Sequence, residues 1–184
     1  MPAHPADIVG FWRNAGPKQW FVKNPAFDSA IRLKFEAVHI SASRGTYDGW
    51  IGTAEGSLAL VILLDQFPRN LWRASPHAYA TDPLARRVAR AAIAAGHDRE
   101  VDAKLRPFFY LPFEHSETLA DQDFSVALCE RLLADTGETG SLKWAKNHRD
   151  IIARFGRFPH RNAYMGRDTT PEEQVFLDEG GFSG

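Results

Sequence analysis

The sequence predicts an all-α fold. Apolar residues recur at helical spacing along most of its length, and capping residues and prolines stand at the starts of those segments with glycines at their ends. No stretch alternates apolar with polar between turn pairs, as a strand would. About seven helices of modest length, joined by short loops, are expected to pack as antiparallel pairs, as in bundles and helical-repeat solenoids.

From Pro25 to Ser43, Phe27, Ile31, Phe35 and Val38 share one helical face, Asn24 is placed to cap, and Pro25 suits the first turn. Gly45 follows as a stop. Leu58 to Leu64 is apolar on every side, which predicts a buried central helix from about Ala54 to Gln66 behind the cap Thr53. Pro68 is expected to end that helix, because the residue before a proline is pushed out of helical geometry. A third helix starts at the cap Asp82, carries Pro83 in its first turn, and runs through Leu84, Val88 and Ala92 to Gly96. Arg106 to Phe113 reads as a short aromatic helix and Thr118 to Leu133 as a longer one. Ser141 to Phe155 is another, with Leu142, Ala145, Ile151 and Ile152 inward. Thr170-Pro171-Glu172-Glu173 is a capping box that opens a last short helix.

The 184 residues, 44% apolar and 24% charged, suffice for one core, and no linker-like tract interrupts residues 6–178. One domain spanning residues 1–184 is expected, and any repeat array would have to be degenerate, since no fixed period is evident. A formal net charge of -1 gives no global field toward nucleic acid or a membrane. Cys129, the single cysteine, lies in the apolar run Val126 to Leu133, so a disulfide within the chain is impossible, in keeping with a reducing, cytoplasmic setting. Met1 to Ile8 lacks a basic region leading into an apolar one and does not read as an export signal. The strongly apolar stretch Leu58 to Leu64 is far short of the roughly 20 residues a bilayer demands. No membrane partner is expected.

Three polar segments stand out as candidates for a site. The first, Asp65-Gln66-Phe67-Pro68-Arg69-Asn70, follows the most apolar helix with no polar spacer. An acid at a helix C-terminus meets the negative end of the dipole, so Asp65 needs a cationic or hydrogen-bonding partner, which Arg69 or another arginine could provide. A buried ion pair or a turn tied down by Asp65 and Asn70 would explain the same residues.

The second segment, Arg154 to Asn162, echoes the first: Arg157-Phe158-Pro159-His160-Arg161-Asn162 repeats the order Phe-Pro then Arg-Asn, with His160 inserted. Lys143 to Arg167 holds seven Lys and Arg against Asp150 alone, a local +6. Arginine suits bidentate contact with carboxylate or phosphate, and Gly156 would let a ligand approach the backbone. The interleaved Trp144, Phe155, Phe158 and Tyr164 would in principle suit single-stranded nucleic acid, but such aromatics are mostly core, and nucleic acid is not expected as a partner.

The third segment, Pro112 to Glu117, begins a stretch in which Glu114, Glu117, Asp121, Asp123 and Glu130 meet no Lys or Arg, a local -5 that invites pairing with the basic segment. His115 beside Ser116 and two glutamates could form an acid–base group. A helix start, with Ser116 as cap and Glu117 at the favourable end of the dipole, is the weightier account of the same residues. Metals and cofactors are not expected. Glu36-Ala37-Val38-His39 has the spacing of di-iron bundles, but occurs once where two are needed. Glu117, Asp121 and His115 supply too few nitrogen or sulfur ligands for zinc. The His-Glu-x-x-His, Gly-x-Ser-x-Gly and phosphate-loop motifs of common enzymes are absent.

Four blocks in order, Phe11-Trp12, Leu63 to Asn70, Leu111 to Glu117 and Arg154 to Asn162, resemble those of the bacterial family catalogued as domain of unknown function 924. The resemblance covers nearly the whole chain, with Glu114 at the variable position of the third block. It implies an all-helical superhelix similar to tetratricopeptide repeats, and no established activity.

The leading functional expectation is a helical scaffold with a polar pocket for a small anionic ligand. Arg69, Arg157 and Arg161, with Gln66, Asn70, Arg154 and Asn162 beside them, would bind a carboxylate or phosphate. Asp65 would orient an arginine, and His115 or His160 would move a proton if there is chemistry. One rival is a hydrolase- or transferase-type enzyme using His115 with Glu117. Another is a helical-repeat module that binds an acidic peptide through the same arginines. Oligomeric state is not legible.

Overall fold

Helices form where caps, first-turn prolines and apolar spacing coincide. In the computed structural model, which describes residues 3–182, no strand is found among those residues. The chain divides into two units, Met1–Arg73 with His77–Pro112, and Ala74–Pro76 with Phe113–Gly184.

The first unit begins with α1 (Pro5–Ala15), which has Pro5 in its first turn and buries Ile8, Val9 and Trp12 on one face, and the one-turn α2 (Pro17–Trp20). Helix α3 (Pro25–Ser43) opens as expected, with Asn24 Oδ1 accepting from the N–H groups of Ala26 at 3.0 Å and Phe27 at 3.2 Å. Helix α4 (Ala54–Val61) is capped by Thr53, whose hydroxyl accepts from Gly56 N–H at 3.1 Å. Gly56 is required there, because a Cβ would lie 2.1 Å from the Trp50 carbonyl oxygen of the preceding 3-10 turn. After α5 (Phe67–Leu71) comes α6 (Asp82–Ala94), and Gly96 at φ +83° follows it. Helix α1 packs on α4, α3 on α5, and α4 on α6. Phe67 is fully buried among Phe35, 5.0 Å between ring centroids, and Trp12, at 5.7 Å.

The central helix does not stop at Gln66. Between α4 and α5 the residues Ile62–Gln66 make a π turn, in which Phe67 N–H reaches back five residues to the Ile62 carbonyl. Pro68 is the physical reason. It has no N–H, so in the widened register the Leu63 carbonyl loses its donor, and the Leu64 carbonyl, four residues before the proline, loses its own. Both are met from outside the helix: His39 Nδ1 lies 2.7 Å from Leu63 O, and Thr81 Oγ1 donates to Leu64 O at 2.6 Å. A carbonyl only accepts, so His39 carries its proton on Nδ1. The wide turn lets the chain pass a proline without breaking, which corrects the expectation that Pro68 ends the helix.

The chain enters the second unit within α7 (Leu111–Glu114); the aromatic stretch before it, Arg106–Phe109, is a 3-10 turn. Helices α8 (Leu119–Thr136) and α9 (Gly140–Phe155) form a hairpin across a three-residue connection, Gly137–Thr139, with Gly137 at φ +76°. Glu138 Oε1 accepts from Gly140 N–H at 2.6 Å and starts α9. After the one-turn α10 (Asn162–Met165), α11 (Pro171–Asp178) begins at the expected capping box. Thr170 N–H donates to Glu173 Oε2 at 2.8 Å and Glu173 N–H to Thr170 Oγ1 at 3.2 Å. The core of this unit gathers Ile151, Ile152 and Phe158, with Phe155, Phe176 and Phe182 packed on them. The described residues therefore hold more helices than the seven expected. The additions are the eleven-residue α1, which was not expected, and single turns such as α2, α5, α7 and α10, too short to show a 3.6-residue period.

Candidate functional site

In the first unit the segment Asp65 to Asn70 sits where the π turn hands over to α5. Asp65 is fully buried and accepts from the Gln66 side-chain amide. The cation its position called for is Arg69, one helical turn on, with Nη1 3.5 Å from Asp65 Oδ1. The same guanidinium forms a fork with Asp82, at 3.0 Å and 3.1 Å. Burial alone would lower the pKa of Arg69, but the charges of Asp65 and Asp82 overcome it and raise the pKa above that of a free guanidinium. Asp82, expected as a helix cap, instead takes a place in α6 and turns its carboxylate to Arg69. Asn70 Nδ2 donates to Asp28 Oδ1 at 2.8 Å, and Arg73 grips the same Asp28 through Nε at 2.6 Å and Nη2 at 2.8 Å. Desolvation of Asp28 is outweighed by these bonds, and its pKa falls below the ordinary value.

The second polar segment and, from Phe113 on, the third belong to the second unit, where the structure brings them together. Glu117 Oε1 accepts from Phe158 N–H at 2.9 Å, and both of its oxygens take the fork of Arg167, at 2.7 Å and 3.0 Å. Burial pushes the Glu117 pKa up, but the bonds from Arg167 and Phe158 pull it down further, with the charge of Arg161 helping. Arg161 is buried, donates through Nη1 to the His115 carbonyl at 3.0 Å, and lies over the Phe158 ring at 4.4 Å. Arg157 clasps Glu173 through Nε at 2.6 Å and Nη2 at 2.8 Å, and Asn162 Nδ2 adds a third bond to that carboxylate at 3.1 Å. The Arg157 bond, then the Thr170 N–H, hold Glu173 down to a pKa of about 2 against its own desolvation. Arg154 pairs with Glu172 at the surface, at 3.0 Å.

The block charges are thus largely matched inside the unit. Of the acidic stretch, Glu117, Asp123 and Glu130 meet Arg167, Arg149 and Lys146 of the basic one, at 2.7, 2.6 and 3.8 Å. Two histidines stand beside these pairs. His148 Nδ1 is 2.9 Å from the Trp144 carbonyl and 3.2 Å from Glu114 Oε1, and both side chains are buried. His160 has its ring 5.6 Å from that of Phe158 and 5.1 Å from that of Phe182, and its buried Nδ1 has no hydrogen-bond partner. Burial, then the charges of Arg161 and His148, lower its pKa to about 3, with Glu117 opposing and Arg167 adding to the fall. The pairings Asp28–Arg73, Glu114–His148 and Arg157–Glu173 were missed from sequence. Their members lie 16 to 45 residues apart, and no local pattern marks them. Among the described residues no group of three or more His, Cys, Asp or Glu is arranged to hold a metal ion.

A family model described as "Bacterial protein of unknown function (DUF924)" matches residues 8–181, and the chain belongs to that family. It is similar to a solved structure of a protein of unknown function from Agrobacterium tumefaciens, with 52% identity over 96% of this chain and 97% of that one, and a TM-score of 0.91. No functionally curated protein matches.

Proposed function

We propose that the chain is a cytoplasmic helical scaffold, built of tetratricopeptide-like antiparallel pairs such as α8–α9, that holds a small carboxylate or phosphate beside His160. The supporting observation is the buried Nδ1 of His160, which has no partner and stands where positive neighbours outweigh negative ones. Burial keeps His160 neutral first and nearby cations second; those cations favour an anion beside the ring, which would accept a hydrogen bond from a protonated Nδ1. Arg161 would contribute charge. Arg157, Arg167 and Arg69 already hold Glu173, Glu117 and the pair Asp65 and Asp82, and in this reading they brace the structure instead of touching the ligand. The acid–base alternative has less support, because the carboxylate of Glu117 is engaged by Arg167 and Phe158 N–H. The peptide-module alternative would use the same arginines and meets the same competition.

The test is thermal unfolding in inorganic phosphate, acetate and citrate. At least one should raise Tm with the logarithm of its concentration, and His160→Gln should abolish the rise. Binding adds a proton to a ring that is neutral in the free protein, so affinity should increase as pH falls from 7.5 to 5.5. An unchanged Tm in all three anions would remove the reading.

A further inference from the structure

The turn between α2 and α3 carries an apolar tip that packing does not account for. Phe21 is 69% exposed and Val22 52%, while the residues behind them are firmly braced. Trp20 Nε1 donates to the Trp12 carbonyl at 2.7 Å, the Trp20 ring meets Phe108 edge-on at 4.9 Å, and Phe21 stacks on the outer side of Phe108 at 6.2 Å. Asn24, the cap of α3, also donates to Gln19 Oε1 at 2.9 Å and closes the base of the turn. The tip is therefore fixed in place while its side chains face solvent.

Its charge is one-sided. From Ile8 to Phe27 the sequence contains Arg13, Lys18 and Lys23 and no Asp or Glu, and all three cations are exposed. An exposed Phe-Val tip between two lysines, with Trp20 braced beneath it, has the composition of a membrane-interface contact: apolar side chains seated at headgroup depth, with cations against anionic headgroups. We infer that Phe21 and Val22, flanked by Lys18 and Lys23, dock the protein on an anionic lipid surface. A protein partner is less favoured, because the apolar residues stand on a turn instead of lining a groove. No helix among the described residues is long and apolar enough to cross a membrane, and the contact inferred is at the surface only. It is independent of the anion reading at His160.

The test is co-sedimentation of the whole chain with vesicles of phosphatidylcholine alone and of phosphatidylcholine mixed equally with phosphatidylglycerol. Binding is expected to the mixed vesicles only, and to weaken as salt rises. Phe21→Ser with Val22→Ser should lower the partition coefficient at least about tenfold. Lys18→Gln with Lys23→Gln should lower it about 25-fold, at about fivefold per lysine. Leu33→Ser, at a position 87% exposed on α3, should leave it unchanged. Absence of binding to the mixed vesicles, or an equal loss in Leu33→Ser, overturns the inference. So does a dimer, seen without lipid, that the double serine variant abolishes, since the tip would then serve a second copy of the chain.

Discussion

Arg69 stands between two carboxylates that the sequence does not obviously pair, one a turn away and one 13 residues on. Asp65 is wholly buried, so deleting the guanidinium would leave an ion in the interior without the cation that balances it. Arg69→Ala should therefore cost about 3 kcal/mol in urea unfolding, the low end for a broken buried pair because the arginine side chain is 20% exposed. Converting both partners, Asp65→Leu with Arg69→Met, should cost less than Arg69→Ala alone. A single variant within about 1 kcal/mol of the parent would show that Asp65 is not charged in the fold. Part of this was legible: an acid at the end of an apolar helix needs a cation, and Arg69 is at helical spacing. Asp82 was not, because an aspartate before a proline looks like a helix cap, and only the folded chain shows that its carboxylate turns away to an arginine.

At the scale of the element, sequence periodicity located most of the long helices, missed the eleven-residue α1, and failed at the proline. Caps, first-turn prolines and glycines marked α3, α6, α8, α9 and α11, even though Asp82 proved not to be the cap of α6, because each such residue acts on its own first or last turn. Pro68 reads as a stop by the same local logic, yet the chain goes on, because His39, 24 residues before Leu63, and Thr81, 17 residues after Leu64, supply the hydrogen bonds the proline withholds. Those donors are brought near by tertiary packing, which no local rule contains. The account can be tested by a cycle. Thr81→Val leaves the buried Leu64 carbonyl without its side-chain donor and should cost about 1–3 kcal/mol. In a Pro68→Ala background the backbone N–H regained at that position can reach the same carbonyl, so the cost should shrink by at least about 0.5 kcal/mol. Equal costs in both backgrounds would mean that Thr81 is not compensating for the proline.

Across the whole molecule the block charges were legible as sums, and their approximate cancellation in the second unit follows from them. Which acid meets which base was not, since Glu117–Arg167 and Arg157–Glu173 close loops of 50 and 16 residues. The unpartnered His160 nitrogen could not be read from sequence at all. These groups together set the response to acid. His160 and His39 have pKa values below 6.5 in the fold, His160 at about 3, so the unfolded chain takes up protons first as pH drops below 6.5. Their contribution to stability is complete above pH 6.5 and is lost as pH falls toward the folded values. The depressed carboxylates act lower: Glu117 and Glu173 contribute fully above about 4.5 and Asp28 above about 3.8, and each loses its share as pH falls through its folded value, about 2 for Glu173. The urea midpoint should therefore stay level from pH 8 to 7, decline from 6.5, and fall more steeply below 4.5. His160→Gln should make the decline shallower from pH 6.5 down to about 3, with His39 accounting for part of the slope that remains above 4.5 and the carboxylates for the steeper fall below it. A parent protein equally stable at pH 6.5 and 5, or a His160→Gln variant that declines as steeply as the parent, would show that His160 is not held neutral by its surroundings.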